Sequence, residues 1–213
     1  GADVVKIENP NGGDQLRKTP PFQDGESAPF MLWNRNKRSV VMDLKNAEDH
    51  KTILKMIEVA DVLIENFKPG TAKRLGIDYE AVSEINSKLI YCSISGYGRT
   101  GPMADMPGYD LLIQAYSGLM NLTGNPDGSP LRIGFSLVDL FTGMMAYATI
   151  LTALRQKDQT GKADAAAVTK AGAGATTTSV PADDDQDDKG RAAKKSKYAI
   201  GQAVEKVSRF DSI

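Results

Sequence analysis

The sequence predicts an α/β fold, doubly wound around a mostly parallel sheet. Two observations predict it. Short runs of β-forming residues alternate with stretches whose apolar residues recur at helical spacing. Glycine, proline and asparagine fall at the ends of those runs, where a chain turning between layers needs them. Strand–helix–strand alternation of this kind implies parallel pairing through crossover helices.

The elements follow in order. Val4, Val5 and Ile7 mark a strand entered at once, as though the chain opened inside a strand–helix–strand unit. The Asn9-Pro10-Asn11-Gly12-Gly13 stretch is a loop. Ser39 to Leu44 reads as a strand, and Asn46 to Ala60 as a helix with Ile53, Leu54, Met56 and Ile57 as its apolar stripe. Asn46 suits its N-cap, with Asp49 three positions on. Asp61 to Glu65 is a strand, Pro69-Gly70 a break, Tyr79 to Asn86 a short helix and Leu89 to Ile94 a strand. Tyr109 to Leu122 and Leu137 to Arg155 are helices, the second apolar on most faces and so expected to be buried. Open parallel sheets take ligands beyond the carboxyl ends of their strands, which singles out the loops after Ile7, Ile64 and Ile94.

The chain divides at about residue 162. Residues 163–180 are almost entirely Ala, Gly, Thr and single charges; an acidic run at 183–188 and a basic one at 189–197 follow. Segments this poor in apolar residues do not offset the entropy of ordering. Disorder is expected through about residue 196, with a short helix over 198–210.

Composition narrows the chemistry. Apolar residues make up 41% of 213, ordinary for a globular chain, and the net charge is −1, so no global field recruits nucleic acid or a membrane. One cysteine, Cys92, excludes an internal disulfide framework and a thiolate zinc cluster. One histidine, His50, argues against multi-histidine metal sites and Ser-His-Asp chemistry. No apolar run reaches the roughly 18 residues of a membrane span, and no signal peptide is recognisable. A soluble, cytoplasmic protein is expected, or a mitochondrial one if a transit peptide preceded this segment.

Several motifs stand at strand ends. The cations of Asn34-Arg35-Asn36-Lys37-Arg38 suit either an anion site or a solvated turn. Glu65-Asn66-Phe67-Lys68-Pro69-Gly70, with Arg74 beyond, brings together an aromatic ring, an amide and cations; that suits a nucleotide, or a capped turn with Phe67 in the core. Ser95-Gly96-Tyr97-Gly98-Arg99-Thr100-Gly101 lets backbone approach a ligand but lacks the Gly-Lys-Ser/Thr ending of a phosphate-binding P-loop. Asp110 in the first turn of a helix favours its dipole. Asp139 is a lone carboxylate in an apolar helix, structural or functional. Cys92 reads as core and His50 as surface.

Taken together, GADVVKIENP, NRNKRSVVMDLK, ADVLIENFKPG, LIYCSISGYGRTGP, PGYDLLIQAYSGLM, SLVDLFTG and the closing TGK resemble class III CoA-transferases, the group of formyl-CoA, carnitine, bile-acid and succinyl-CoA–dicarboxylate CoA-transferases. The resemblance runs from Gly1 to about Lys162 and implies a truncated piece of such an enzyme. It implies a Rossmann-like large domain, a second smaller domain and a homodimer of interlocked chains. The implied activity moves CoA from an acyl-CoA to a carboxylic acid through an aspartyl intermediate, with CoA and acyl-CoA as substrates, no tightly bound cofactor and no metal. Asn66, Phe67 and Arg74 match the family's CoA-nucleotide contacts, Met42 and Lys45 line the same pocket, and Tyr109 matches a CoA-contacting tyrosine. Asn9 stands where some members carry an arginine.

The nucleophile is the departure. Counting on from Thr160, the family's catalytic aspartate falls at Gly172, and Asp164 comes eight residues too early. No catalytic residue is therefore assigned, and an impaired transferase is expected; the alternative is a non-catalytic CoA-binding or protein-interaction remnant. The related α-methylacyl-CoA racemases pair a Gly-His-Asp histidine with a helix aspartate. Here Gly108-Tyr109-Asp110 has tyrosine in place of the histidine, so Asp139 lacks the partner a two-sided proton exchange requires.

Overall fold

The computed structural model describes residues 2–163 and, as main chain only, residues 165–169 and 176–178. The described chain falls into two compact units, with the break between Val59 and Ala60.

In the first unit β1 (Val4–Glu8) pairs in parallel with a later strand, and between them lie the short hairpin β2 (Phe22–Gln23) and β3 (Glu26–Ser27) and the helix α1 (Ala28–Trp33). The partner strand is β4 (Lys37–Val41), in register from Val4 opposite Lys37 to Glu8 opposite Val41. Ser27 caps α1 by accepting the Phe30 N–H at 3.3 Å. The helix α2 (Ala47–Val59) starts as expected at Asn46, whose side-chain oxygen accepts the Glu48 and Asp49 N–H groups at 2.9 and 3.2 Å. Asp49 reaches back to accept the Asp43 N–H at 2.8 Å, fixing the entry of the helix from both sides. Ile53 and Ile57, one turn apart on its stripe, are buried.

The second unit opens with β5 (Val62–Glu65), then α3 (Thr71–Arg74), α4 (Tyr79–Ile85) and β6 (Ile90–Ser95), which pairs in parallel with β5. Four consecutive residues of β6, Ile90 to Ser93, are buried. That pattern marks a strand covered on both faces. The helices α5 (Asp110–Tyr116) and α6 (Leu137–Thr160) follow, and Gly161, at φ 70°, ends α6 in the left-handed conformation. Val138, Thr142, Ala146, Thr149 and Ala153 form one buried stripe along α6, with Ala146 and Ala153 packed on Ile90 and Cys92 of β6. The hydroxyls of Thr142 and Thr149 donate to carbonyls one turn back, at 3.0 and 2.8 Å, so the stripe leaves neither unpaired.

The opposite face of α6 exposes Phe141, Met144, Tyr147 and Leu151, so the helix is not buried all round as expected. By length and composition alone it would also cross a membrane, with an 18-residue window of mean hydropathy 1.6. The expectation that no segment reaches that length counted uninterrupted apolar runs and passed over a helix broken by small polar residues. Its small-residue stripe packs on β6, while its large apolar side chains stay exposed.

Two further strands, β7 (Ala165–Thr169) and β8 (Thr176–Thr178), lie where a structureless low-complexity segment was expected. β7 pairs in parallel with β6 from Cys92 opposite Ala166, and β8 pairs antiparallel with β7. The pairing has a simple main-chain cause: β6 has a second edge of N–H and C=O groups to satisfy. The rest of that segment, including the helix expected over 198–210, lies outside the described residues. The α/β class and parallel pairing are as expected, but the described strands form separate sheets, β1–β4 and β5–β6–β7–β8, beside the small hairpin.

Candidate functional site

The carboxyl ends of β5 and β6 carry a part-buried polar cluster. Glu65, the last residue of β5, is 7% exposed. Its Oε2 accepts the Phe67 N–H at 2.8 Å and its Oε1 accepts an Arg99 N–H at 3.1 Å. The Ser93 hydroxyl, on the adjacent strand, also donates to Oε1 and is itself contacted by Arg99. Arg99 lies 5.9 Å over the ring of Tyr91. Beside this cluster the Asn66 amide donates to the Ile94 carbonyl at 2.9 Å. A buried carboxylate held by a guanidinium, a hydroxyl and a main-chain N–H has the partners its charge requires.

Four of the expected site residues lie in the same unit as this cluster. Asn66 and Phe67 are exposed immediately beyond β5. Arg74 ends α3, exposed, and donates to the Thr71 hydroxyl at 3.2 Å. Gly70, at φ 73°, turns the chain between them in a conformation that glycine tolerates. Tyr109 is half-buried as the N-cap of α5. Its loop meets the glycine-rich loop closely: a Cβ added at Gly96 would stand 2.7 Å from the Gly108 nitrogen. Tyr97, next in the glycine-rich loop, packs edge-on against Tyr116 of α5, with ring centres 5.2 Å apart. A continuous chain of contacts thus runs from Asn66 and Phe67 through Glu65 and Arg99 to the glycine-rich loop and Tyr109.

Met42 and Lys45 lie in the first unit, in the loop after β4. The Met42 N–H donates to the Glu8 carbonyl at 2.9 Å, and the Lys45 N–H to Asp43 at 3.0 Å, which leaves the Lys45 side chain exposed. Asn9 shapes its own turn, accepting the Asn11 N–H at 2.8 Å and donating to the Gly13 carbonyl at 3.1 Å.

The remaining candidates sort by surroundings. Asp110 accepts the Asp139 main-chain N–H at 3.1 Å and the side-chain amide of Gln114, so it ties the start of α6 to α5. Gln114, 1% exposed, also accepts the Ile133 N–H at 2.9 Å. Cys92 is fully buried in β6, and that burial pushes its thiol up to about 12. Burial likewise raises Tyr91 and Tyr97. His50 is half-buried on α2. Among the described residues no group of three His, Cys, Asp or Glu side chains is disposed to hold a metal. Asp164 and Gly172 lie outside the described residues.

The motifs containing Glu65 and Arg99 were legible in the sequence, but their contact with each other and with Ser93 was not. The available signal was a glutamate ending an otherwise apolar strand beside a strand with a serine in its interior.

Comparison with known proteins decides the family. The model of CoA-transferase family III matches residues 1–203. The chain belongs to CoA-transferase family III. The match extends past Lys162, where the resemblance was expected to end.

Relatives within the family include a succinate–glutarate CoA-transferase of Agrobacterium fabrum, 46% identical over 169 residues, covering 76% of this chain and 42% of the relative. The acetyl-CoA:oxalate CoA-transferase of Acetobacter aceti is 47% identical over 163 residues, covering 76% and 42%. The human succinyl-CoA:glutarate CoA-transferase is 44% identical, covering 76% and 37%. The chain therefore matches about two fifths of the length of these relatives. A CAIB/BAIF family protein from Brucella suis is similar in structure, with TM-score 0.74, 43% identity, and coverage of 78% of this chain and 45% of that one.

Proposed function

We propose that this chain carries the CoA-nucleotide part of a family III CoA-transferase, a protein that moves CoA between an acyl-CoA thioester and a carboxylic acid. The observation that carries the reading is the turn beyond β5. There the exposed Phe67 ring and Arg74 guanidinium flank a segment fixed to the sheet by Glu65 and Asn66. A ring for the adenine face and a cation for phosphate are what a CoA nucleotide asks of a protein surface. Tyr109, in the same unit, joins them by family resemblance.

In such a transfer a carboxylate attacks the thioester carbonyl and CoA thiolate departs. The thiolate then attacks the enzyme carbonyl of the resulting anhydride, releasing the donor acid and leaving an enzyme-bound thioester; the acceptor acid attacks that thioester, expelling the thiolate, which returns to the acceptor's carbonyl and frees the enzyme carboxylate. Family resemblance puts that carboxylate at position 172, where this chain has glycine. The reading is therefore CoA binding with impaired turnover. A non-catalytic CoA-binding remnant is the alternative that Gly172 favours. The exposed apolar face of α6 supports burial against a second chain, as in the homodimer that the family resemblance implies.

The test has two arms. CoA is titrated into the purified chain, and succinyl-CoA turnover with a dicarboxylate acceptor is assayed in parallel. Binding without turnover supports the reading; turnover at a relative's rate refutes impairment; absence of binding refutes the CoA site.

A further inference from the structure

Resting on that reading, we propose that Glu65 is the positioning residue of the CoA site: one buried carboxylate that locks the Asn66–Phe67 turn and the glycine-rich loop into a single ligand-ready arrangement. The two loops leave the ends of adjacent strands and share no main-chain hydrogen bond of their own among those described. Glu65 joins them. Oε2 holds the Phe67 N–H at 2.8 Å, and Oε1 holds Arg99, in the glycine-rich loop, at 3.1 Å. The Ser93 hydroxyl takes a third place on the same carboxylate. Arg99 is half exposed at its side chain, whereas the Glu65 side chain is 5% exposed, so the carboxylate is the fixed member and Arg99 the movable one.

The arrangement extends further. Gly96 and Gly108 approach so closely that the glycine-rich loop carries the Tyr109 turn with it. One carboxylate thereby sets Phe67, expected at the adenine, and Tyr109, expected nearer the reacting end. Glu65 itself is buried, its side chain 5% exposed, and it acts through these loops. Its effect on binding comes from removing alternative loop conformations before the ligand arrives.

The variants that test this are Glu65→Gln and Arg99→Ala, singly and together, in the full chain. Glu65→Gln keeps the shape and an acceptor for Phe67 but removes the charge that holds Arg99. CoA affinity is expected to fall on the order of tenfold in each single variant, and the double variant to lose little more than either. Hydrogen exchange at the Phe67 amide and at residues 97–101 should speed up together in Glu65→Gln. Val82→Ala, which removes buried volume elsewhere in the second unit, is the control for lost stability and should keep wild-type affinity. Affinity within twofold of wild type in Glu65→Gln overturns the proposal, as do additive losses in the double variant. A wild-type chain that does not bind CoA refutes the proposed function instead; the exchange experiment then decides the coupling alone, and unchanged exchange at either loop overturns it.

Discussion

The main-chain N–H of Phe67 donates to the carboxylate of Glu65 at 2.8 Å, two residues back and at the buried end of β5. The ring expected to face a nucleotide base is therefore anchored by the sheet. The exposure of Phe67 belongs to a fixed turn, with Asn66 tied to the Ile94 carbonyl on the neighbouring strand. A ring held this way gains contact with a ligand without first losing much loop entropy.

Glu8 should make the first unit sensitive to acid. It is 4% exposed, and Arg17 grips both its oxygens at 2.8 and 2.9 Å. The Arg17 hydrogen bonds hold its carboxyl down at about 2, against an ordinary 4.5, although burial opposes them. A carboxylate lowered on folding stabilises the fold above its unfolded value and loses that contribution as pH falls through its folded value. The contribution is on the order of 3 kcal/mol. Urea unfolding followed by Trp33, the single tryptophan, should show Glu8→Gln less stable than wild type above pH 5. The difference should shrink between pH 4.5 and 2. A difference independent of pH would refute this.

Cys92 reports on the second unit. Full burial and a thiol raised to about 12 leave almost no thiolate at pH 8, so the native protein should resist alkylation. Labelling should accelerate only at urea concentrations that unfold β6. Rapid labelling without urea would contradict the buried placement.

Gly96→Ala and Gly143→Ala should move stability in opposite directions. A Cβ at Gly96 would stand 2.7 Å from the Gly108 nitrogen and 2.8 Å from its Cα, both rigid main chain. The cost should be about 1–3 kcal/mol, read from the urea midpoint. Gly143 lies inside α6 with nothing within 4 Å of an added Cβ, so alanine there should stabilise by roughly 0.5–1 kcal/mol. Equal effects from the two variants would refute the close approach at Gly96.

Local periodicity and capping chemistry made much of this structure legible in advance. Asn46 announces α2, and the apolar runs before Glu65 and Ser95 announce β5 and β6, so the turn carrying Asn66 and Phe67 was placed correctly. The Glu65–Arg99 pair was not legible, because its members lie 34 positions apart and no spacing rule joins them. The strands β7 and β8 were missed for another reason. Their Ala and Thr residues carry no alternating pattern, and their order comes from the free edge of β6. The break into two units between Val59 and Ala60 falls inside an apparently continuous helix–strand connection with no proline or glycine to mark it.

Isothermal titration of CoA into the purified chain, beside Phe67→Ala and Arg74→Ala, tests the central claim most directly. The account predicts saturable binding by the wild-type chain, weakened on the order of tenfold or more by each substitution. No binding by the wild-type chain, or equal binding by all three, would contradict it.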